Sequence, residues 1–318
     1  MFDNKNVLLI GDLMLDTYLC GNVDRVSPEA PVPVVDIYNR TDKLGGAGNV
    51  ALNIKKLGSN PIICSVIGND VNGKKLINLL KDNDISTENI ILSDDRKTTN
   101  KTRIIGNDYQ LVRFDDEMID VLNYDDYTNL SRKIELIIEK QNIDVVLIQD
   151  YDKGVIDRNL INEIIKVTNN DIPVIVDPKK RNFNFYRNIK LIKPNLKELK
   201  DGLNFDKISD IDRDDLLMDG AKKLHKKGID IVLVTLSDEG VYLSYNKGKK
   251  FIYINSKKRN VSDVSGAGDT VISIISVLLT NKELKIDDIA KISNIGGGIV
   301  CEKKGVVPIE LNELLNEI

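Results

Sequence analysis

The chain has 318 residues, of which 42% are hydrophobic, and its 45 basic and 49 acidic side chains leave a formal net charge of −4. This length predicts one large α/β domain over residues 1–318, and the balanced charge argues against a nucleic-acid partner. The sequence shows no leader peptide and no apolar run of membrane-spanning length, so we expect a cytoplasmic protein without a membrane partner.

Cysteine and histidine usage narrows the chemistry further. Cys20, Cys64 and Cys301 are odd in number and widely spaced, which predicts buried structural thiols rather than disulfides or a metal-ligand pair. His225 is the only histidine, so mechanisms that need several histidines are excluded. It lies in a basic helix end, where we expect a solvated side chain.

Apolar strands alternate with amphipathic helices along the chain. The predicted strands are residues 7–10, 62–66, 145–148, 174–176 and 231–234. The predicted helices are residues 50–57, 76–81, 130–139, 160–167, 216–226 and 270–279. Continuous apolar strands of this kind are buried on both faces, so the pattern predicts a doubly wound, mostly parallel central sheet flanked by helices.

Two β-like segments, residues 31–39 and 101–115, interrupt this alternation. They predict a small β-sheet that closes over the binding crevice as a lid and excludes water. An ordinary edge hairpin is the alternative on pattern alone.

Polar side chains follow the predicted strands, where ligands bind in such sheets. They are Asp12 and Asp16, Asp150 with Lys153, Asp177 with Lys179, Asn195 with Glu198, and Thr235 with Ser237. Each alone is also typical of a turn or a helix cap, but their joint placement predicts one shared crevice.

A glycine-rich stretch at residues 44–54 begins a predicted helix. Its spacing does not match the dinucleotide-binding fingerprint, and a Walker-type phosphate loop is absent from the sequence. Gly45 and Gly46 would let a hydroxyl-rich ligand approach the backbone, while the Asn49 amide can both donate to and accept from sugar hydroxyls. A plain helix start remains the alternative for Asn49.

The most informative stretch is residues 263–269, where Gly266, Ala267 and Gly268 stand between two aspartates before an apolar helix. Free amides and the positive dipole end of that helix would face an anion in the turn. Asp269 is then placed to accept a proton from an attacking hydroxyl, which predicts phosphoryl transfer. A helix-capping role is the alternative for Asp269.

These motifs, in this order, resemble the ribokinase-like (PfkB) sugar kinases from the first strand to the last helix. The resemblance implies ATP and Mg²⁺ as cofactors, with Asp269 as catalytic base and the Gly266, Ala267 and Gly268 amides holding the transferred phosphoryl group. It further implies sugar-hydroxyl binding by Asp12 and Asp16, and an indirect, water-mediated magnesium site at Asn195 and Glu198. The implied nucleotide-binding loop contains Thr235, Ser237 and Gly240, and a monovalent cation and a homodimer formed through the lid are also expected.

A narrower resemblance is to the D-glycero-β-D-manno-heptose-7-phosphate kinases. It rests on residues 11–16, 25–34, 45–51 and 263–270, with the Ser-Pro-Glu-Ala-Pro-Val-Pro segment at 27–33 the most discriminating. It implies transfer of the ATP γ-phosphoryl group to the anomeric O1, giving the 1,7-bisphosphate for ADP-heptose synthesis. Many such kinases are fused to an adenylyltransferase, and here we expect a separate adenylyltransferase to use the product.

A sugar phosphate needs cationic partners that a free sugar does not. Arginine can hold a phosphate in bidentate fashion and lysine as a point charge, and each candidate is alternatively a solvated surface charge. The candidates are Arg103, Arg113, Lys153 and Lys179. Two departures from the pattern stand out: Asn107 replaces a basic residue frequent in related heptose kinases, and Ser237 replaces a glycine frequent in ribokinase-like enzymes.

Two alternatives stay open. A kinase of the same fold could use fructose, fructose 6-phosphate or ribose. A non-catalytic sensor of sugar or nucleotide is the other alternative. The presence of Asp269 argues against it, because a non-catalytic relative would arise most easily by losing this base.

Overall fold

The structure, a computed structural model, describes residues 2, 4–205 and 212–318. Its strands are β1 Asn6–Gly11, β2 Leu13–Val26, β3 Pro33–Gly46, β4 Asn60–Gly68, β5 Ile90–Ser93, β6 Thr99–Gly106, β7 Tyr109–Asp116, β8 Val145–Gln149, β9 Val174–Asp177, β10 Leu191–Ile192, β11 Ile231–Thr235, β12 Val241–Tyr245 and β13 Lys250–Ile254. Its α-helices are α1 Ala47–Lys56, α2 Val71–Asp82, α3 Tyr124–Lys140, α4 Arg158–Thr168, α5 Leu196–Gly202, α6 Arg213–Lys226, α7 Ala267–Leu278, α8 Ile286–Cys301 and α9 Leu311–Leu315.

Nine strands form the central sheet, in the order β13-β12-β11-β10-β9-β8-β1-β4-β5. The strands from β11 to β5 in that order are parallel, and β12 and β13 add an antiparallel edge. The ribokinase-like, mostly parallel α/β sheet predicted from the sequence is therefore confirmed. The strands β5, β10, β12 and β13 were not predicted. Strand β12 is buried but its apolar run is broken by Ser244, and β13 has no buried residue. Strands β5 and β10 have only four and two residues.

Both faces of this sheet are buried, which explains the continuous apolar strands. Leu9, Leu147 and Leu233 point into the core on one face, which α1, α7 and α8 cover. Their neighbours on the same strands, such as Leu8 and Val146, point into the core on the other face, which α3, α4 and α6 cover. Since adjacent side chains alternate across a sheet, both positions of the period must be apolar.

A second sheet contains four strands in the order β3-β2-β6-β7. The predicted β segments 31–39 and 101–115 fall in or beside β3, β6 and β7, whereas β2 was not predicted. The first five residues of β2 are buried and its end is exposed, so this strand shows no single hydrophobic period. The strand carries Asp16 from the central core into the small sheet.

Two side-chain predictions are wrong. His225 lies near the end of α6 but is half-buried, and its ring nitrogens bond the Ile229 carbonyl oxygen at 2.7 Å and the Ser244 hydroxyl at 3.0 Å. The bond to Ser244 on β12 thus keeps the ring partly out of solvent. Of the three thiols only Cys64 is buried, where burial raises its pKa to about 12, while Cys20 and Cys301 are half-buried.

Within the described residues, no helix combines the length and the apolar character that crossing a membrane requires.

Candidate active site

The turn before α7 has the backbone geometry that the sequence predicts. Gly266 adopts the left-handed φ of 85° and stands at the N-cap position, and α7 starts at Ala267, three residues earlier than expected. Asp269 therefore lies inside the first helical turn, so the capping alternative is wrong. The first amides of a helix lack intrahelical acceptors. Here the Ala267 N–H donates to the Val264 carbonyl oxygen at 3.3 Å, and within the described residues the Gly266 and Gly268 N–H groups and the positive dipole end are left available to an anion.

The Asp269 carboxylate is 6% exposed and accepts three hydrogen bonds. Asn49 Nδ2 donates to Oδ2 at 2.8 Å, while the Tyr151 hydroxyl and Gln149 Nε2 donate to Oδ1 at 2.6 and 3.2 Å. Burial raises the pKa of Asp269 to about 6, against the opposing effect of the bonds from Asn49 and Tyr151. A carboxylate with such a pKa is ionised at neutral pH yet basic enough to take a proton from a positioned hydroxyl.

The glycine pair at the end of β3 makes room for Asp16. A Cβ on Gly45 would lie 2.3 Å from Asp16 Oδ2, and Gly46 has a φ of 55°. Asp16 is 5% exposed and pairs with Arg103 Nη1 at 2.5 Å. Asn49 follows on α1 and is held by Asn53, whose Nδ2 donates to the Asn49 carbonyl oxygen at 2.8 Å. These elements bring Asp16, Asn49 and Asp269 to the same end of the sheet.

Asp12 has a different environment from the one expected for a sugar ligand. It is 1% exposed, and its carboxylate accepts the backbone N–H groups of Tyr151, Lys153 and Val155 at 2.8, 3.2 and 3.1 Å. Burial raises its pKa, while these amides act in the opposite direction. Asp12 therefore anchors the loop at residues 151–155, and its contact with sugar hydroxyls stays a prediction.

Asn195 and Glu198 form a capping box at the start of α5. The Asn195 side chain accepts from the Glu198 amide, and the Glu198 carboxylate accepts from the Asn195 amide, both at 2.8 Å. Glu198 also pairs with Lys179. The box keeps the Glu198 carboxylate at a defined place beside the crevice.

A buried ion pair lies beside this helix and was missed by the sequence reasoning. Lys193 and Asp177 are 3% and 5% exposed, and Lys193 Nζ lies 3.1 Å from Asp177 Oδ2. A Cβ on Gly268 would stand 3.5 Å from Lys193 Nζ, so this ammonium adjoins the glycine turn. The only sequence signal was a lysine directly after the two apolar residues of β10. Gln149 and Tyr151 were also missed, since a glutamine ending β8 and a tyrosine after Asp150 have no distinctive spacing.

The loop after β11 carries Thr235, Ser237 and Gly240. A β-bridge joins Thr235 to Asn195, which places this loop next to the capping box. Ser237 and Gly240 have positive φ values of 59° and 102°. The left-handed conformation at position 237 accounts for the glycine frequent there in ribokinase-like enzymes.

The four predicted phosphate-binding cations do not form one group. Arg103 and Arg113 are paired across β6 and β7 on one face of the small sheet, and Arg113 also contacts Asp115. Lys153 binds Glu117 at 2.8 Å. Lys179 instead pairs with Glu198 and covers the ring of Tyr151, so it belongs to the α5 side of the crevice.

Asn107, which replaces an expected cation, has a structural role. It lies in the β6–β7 turn with a φ of 50°, and its side chain bonds the backbone N–H and carbonyl of Val23. Asparagine tolerates this left-handed conformation better than a long basic side chain does.

Comparison with known protein families matches residues 4–311 to the description "pfkB family carbohydrate kinase". The chain belongs to the pfkB family. Carbohydrate kinases of this family use ATP and Mg²⁺ in general. The family assignment therefore confirms the resemblance found in the sequence, and with it the assignment of this chain as an ATP-dependent sugar kinase.

Two curated relatives of this pfkB family member carry the name "Bifunctional protein HldE". The chain is 37% identical over 311 residues to the protein from Aliarcobacter butzleri and 38% identical over 313 residues to that from Helicobacter pylori. These matches cover 97% and 98% of this chain but 63% and 65% of the relatives, so the chain spans less than two thirds of their length.

Among solved structures, Escherichia coli phosphofructokinase-2 in complex with potassium has a similar fold. The TM-score is 0.78 with 18% sequence identity, and the match covers 98% of this chain and 97% of that chain.

Asn195 and Glu198 are the residues that the sequence predicts for magnesium. Within residues 2, 4–205 and 212–318, no group of three or more His, Cys, Asp or Glu side chains is placed to hold a metal. Mg²⁺ usually keeps several waters and binds through one or two carboxylates together with substrate phosphates. The oxygen donors of Asn195 and Glu198 are of the type it prefers.

Proposed function

We propose that this chain transfers the γ-phosphoryl group of ATP to the anomeric O1 of D-glycero-β-D-manno-heptose 7-phosphate, giving the 1,7-bisphosphate. The observation that carries the proposal is the buried Asp269 carboxylate, which lies next to the amides of Gly266 and Gly268 in the glycine turn and beside Asn49. This arrangement combines a base for the acceptor hydroxyl with an anion site for the transferred group.

In the proposed reaction, Asp269 accepts the O1 proton as the sugar oxygen attacks the γ-phosphorus. The amides of Gly266 and Gly268 and the dipole of α7 stabilise the charge that develops on the equatorial oxygens. Bound Mg²⁺ would neutralise the nucleotide phosphates, with Asn195 and Glu198 holding it through water. The loop with Thr235, Ser237 and Gly240 would bind the nucleotide.

We assign the sugar hydroxyls to Asp16 and Asn49, and the far-end phosphate to the small sheet. Arg103 and Arg113 are cross-strand partners, and two like charges directly opposite each other are unfavourable without an anion nearby. Asp16 and Asp115 provide part of that compensation, and a substrate phosphate would add to it. Lys153 forms an ion pair with Glu117. Lys179 would face the nucleotide.

The heptose assignment is supported by the sequence segments at 11–16, 25–34, 45–51 and 263–270. It is also supported by the similarity to the two HldE proteins, at 37% and 38% identity. Those proteins are bifunctional by name and are longer than this chain. An adenylyltransferase activity would then consume the bisphosphate for ADP-heptose synthesis.

The test is ATP consumption by the purified chain with magnesium and a panel of acceptors. The panel contains D-glycero-D-manno-heptose 7-phosphate, sedoheptulose 7-phosphate, fructose 6-phosphate, fructose and ribose. We expect the aldoheptose phosphate to give the highest kcat/KM, with the new phosphate on the anomeric oxygen. A clear preference for another sugar would contradict the heptose assignment and identify that sugar as the acceptor. No turnover with any of the five sugars would favour the sensor alternative.

We also propose that residues 1–318 form one kinase domain in which the small sheet serves as the lid and as a homodimer contact. Every residue of the edge strand β7 is exposed, including Tyr109, Leu111, Val112 and Phe114. An exposed apolar edge strand favours pairing with a second chain.

Light scattering tests the dimer. Phe114→Asp should give monomers at concentrations where the unsubstituted chain is dimeric. Tyr124→Asp changes an exposed aromatic residue on α3, outside the small sheet, and should leave the dimer intact. A monomeric unsubstituted chain would contradict the dimer proposal.

A monovalent cation is a further proposed activator, because the similar phosphofructokinase-2 structure is a potassium complex. Turnover should be higher in potassium than in a large organic cation at the same ionic strength. Equal rates in the two salts would remove this requirement.

A further inference from the structure

Tyr151 has a contact that the proposed chemistry does not use. This half-buried residue follows β8, and its hydroxyl donates to Asp269 Oδ1 at 2.6 Å, the shortest of the three bonds to that carboxylate. The bond joins two elements that are 118 residues apart in the sequence.

The loop that carries Tyr151 is held in place independently of this bond. Asp12 accepts the backbone amides of Tyr151, Lys153 and Val155. Gly154, with a φ of 89°, packs so closely that a Cβ would lie 1.9 Å from the Asp120 carbonyl oxygen. The loop therefore delivers the phenol to Asp269 as part of a fixed backbone conformation.

The donors divide unequally between the two oxygens of Asp269. Each carboxylate oxygen has about two acceptor positions. Tyr151 and Gln149 both donate to Oδ1, whereas Asn49 is the donor that the described residues bring to Oδ2. Oδ2 thus keeps an acceptor position on the side of Asn49, where the sugar hydroxyl is proposed to bind.

Burial is the largest cause of the raised pKa of both Asp269 and Tyr151, and charged groups on the neighbouring elements have smaller effects. Asp177 raises the pKa of Asp269 and Lys193 lowers it, while Asp269 in turn raises the pKa of Lys179. Burial, together with Asp269 and Asp177, raises the pKa of Tyr151 well above its ordinary value. The phenol accordingly stays protonated and donates throughout the working pH range.

We propose that Tyr151 is a positioning residue that occupies Oδ1 of Asp269, so that the acceptor hydroxyl delivers its proton to Oδ2. This inference rests on the proposed kinase function. In the step, the sugar O–H proton moves to Oδ2 as the new O–P bond forms and the bond from the γ-phosphorus to the ADP oxygen breaks. The Tyr151 hydroxyl keeps its own proton.

The first test is the pH profile of kcat/KM for Tyr151→Phe. Loss of a charge-assisted donor should move the acidic limb, set by ionisation of Asp269, upward by about one pH unit. Activity should fall most at acidic pH and recover as pH rises. The matched control is Tyr127→Phe, which removes a 2.6 Å phenol–carboxylate bond to Glu163 between α3 and α4. The control should keep the acidic limb unchanged, and an unshifted limb in Tyr151→Phe would overturn the proposal.

The second test does not require activity, so it separates this inference from the proposed function. Denaturant midpoints are compared at about pH 5 and about pH 8 for the unsubstituted chain, Tyr151→Phe, Asp269→Asn and the double variant. Below the pKa of Asp269 the carboxyl is protonated and the phenol bond is weak, so the midpoint loss in Tyr151→Phe should be larger at the higher pH. That pH dependence should vanish in the Asp269→Asn background. A pH-independent loss in both backgrounds would reduce Tyr151 to a packing residue and overturn its positioning role.

Discussion

The carboxyl end of the central sheet and the four-stranded sheet present opposite environments to the same crevice. Asp269, Asp177 and Lys193 are each at most 6% exposed and are fixed by hydrogen bonds or ion pairs. All eight residues of β7 are exposed, and the Arg113 side chain is 50% exposed. A buried site can tune the pKa of a base, whereas an exposed sheet can offer charge at little desolvation cost.

We expect the two regions to have different roles in the proposed reaction. The central sheet would provide the acid–base and phosphoryl-transfer chemistry, and the small sheet would select the acceptor through its phosphate. If so, substitutions in the first region should change kcat with any acceptor. Substitutions in the second should change KM for phosphorylated sugars alone.

The largest effect is expected from Asp269→Asn. An amide cannot accept the hydroxyl proton, so kcat should fall roughly 100- to 10,000-fold. Binding of ATP, measured by calorimetry, should change little because the proposed nucleotide contacts are at other residues. Asp201→Asn, on α5 outside the proposed site, is the control. Turnover within a few-fold of the unsubstituted chain would remove Asp269 as the base.

Arg103→Ala tests whether the small sheet binds the phosphate of the acceptor. Loss of a charge-assisted phosphate contact should raise KM for the sugar phosphate roughly tenfold to a hundredfold and leave KM for ATP almost unchanged. Because this change also leaves Asp16 without its ion pair, Arg113→Ala is measured in parallel and should act in the same direction.

The control for both arginine variants is Arg132→Ala, an exposed arginine on α3. It should leave both Michaelis constants unchanged. Equal effects of Arg103→Ala on the sugar phosphate and on ATP would contradict a selective phosphate site.

The acid dependence of activity is the smallest of the three expected effects. The pKa of Asp269 is raised by burial to about 6, and only the ionised carboxylate can act as the base. kcat/KM should therefore be constant near neutral pH and fall about tenfold per pH unit below about pH 6. A limb near the ordinary aspartate pKa would show that the carboxylate is better solvated than its burial indicates.

Much of the fold was predictable from local sequence. Strands β1, β4, β8, β9 and β11 lie between helices and are buried on both sides, so each is a continuous apolar run. Strand β2 was not predictable, because it leaves the core midway and its pattern changes there. The turn at Gly266 was predictable because its glycines precede a strongly apolar helix.

Candidate site residues divide in a similar way. Asn195 and Glu198 have the three-residue spacing of a capping box, and the structure contains both hydrogen bonds of that box. Asp12 was expected to be a ligand because it follows a strand, but its three bonds from backbone amides depend on a loop about 140 residues away and could not be predicted. Lys179 was grouped with Arg103 as a phosphate-binding cation, but it pairs with Glu198. The sequence could not show this, because ion pairs form between elements that are distant along the chain.

The sequence by itself determined the layered α/β fold, the glycine turn before α7 and the candidate base, because each depends on short-range pattern and backbone freedom. Only the tertiary structure decided what surrounds that base. Asn49, Gln149 and Tyr151 reach Asp269 from separate elements, with sequence separations of 220, 120 and 118 residues. The pKa of a buried carboxylate depends on this surrounding set of donors and charges, and such a set exists only once the chain has folded.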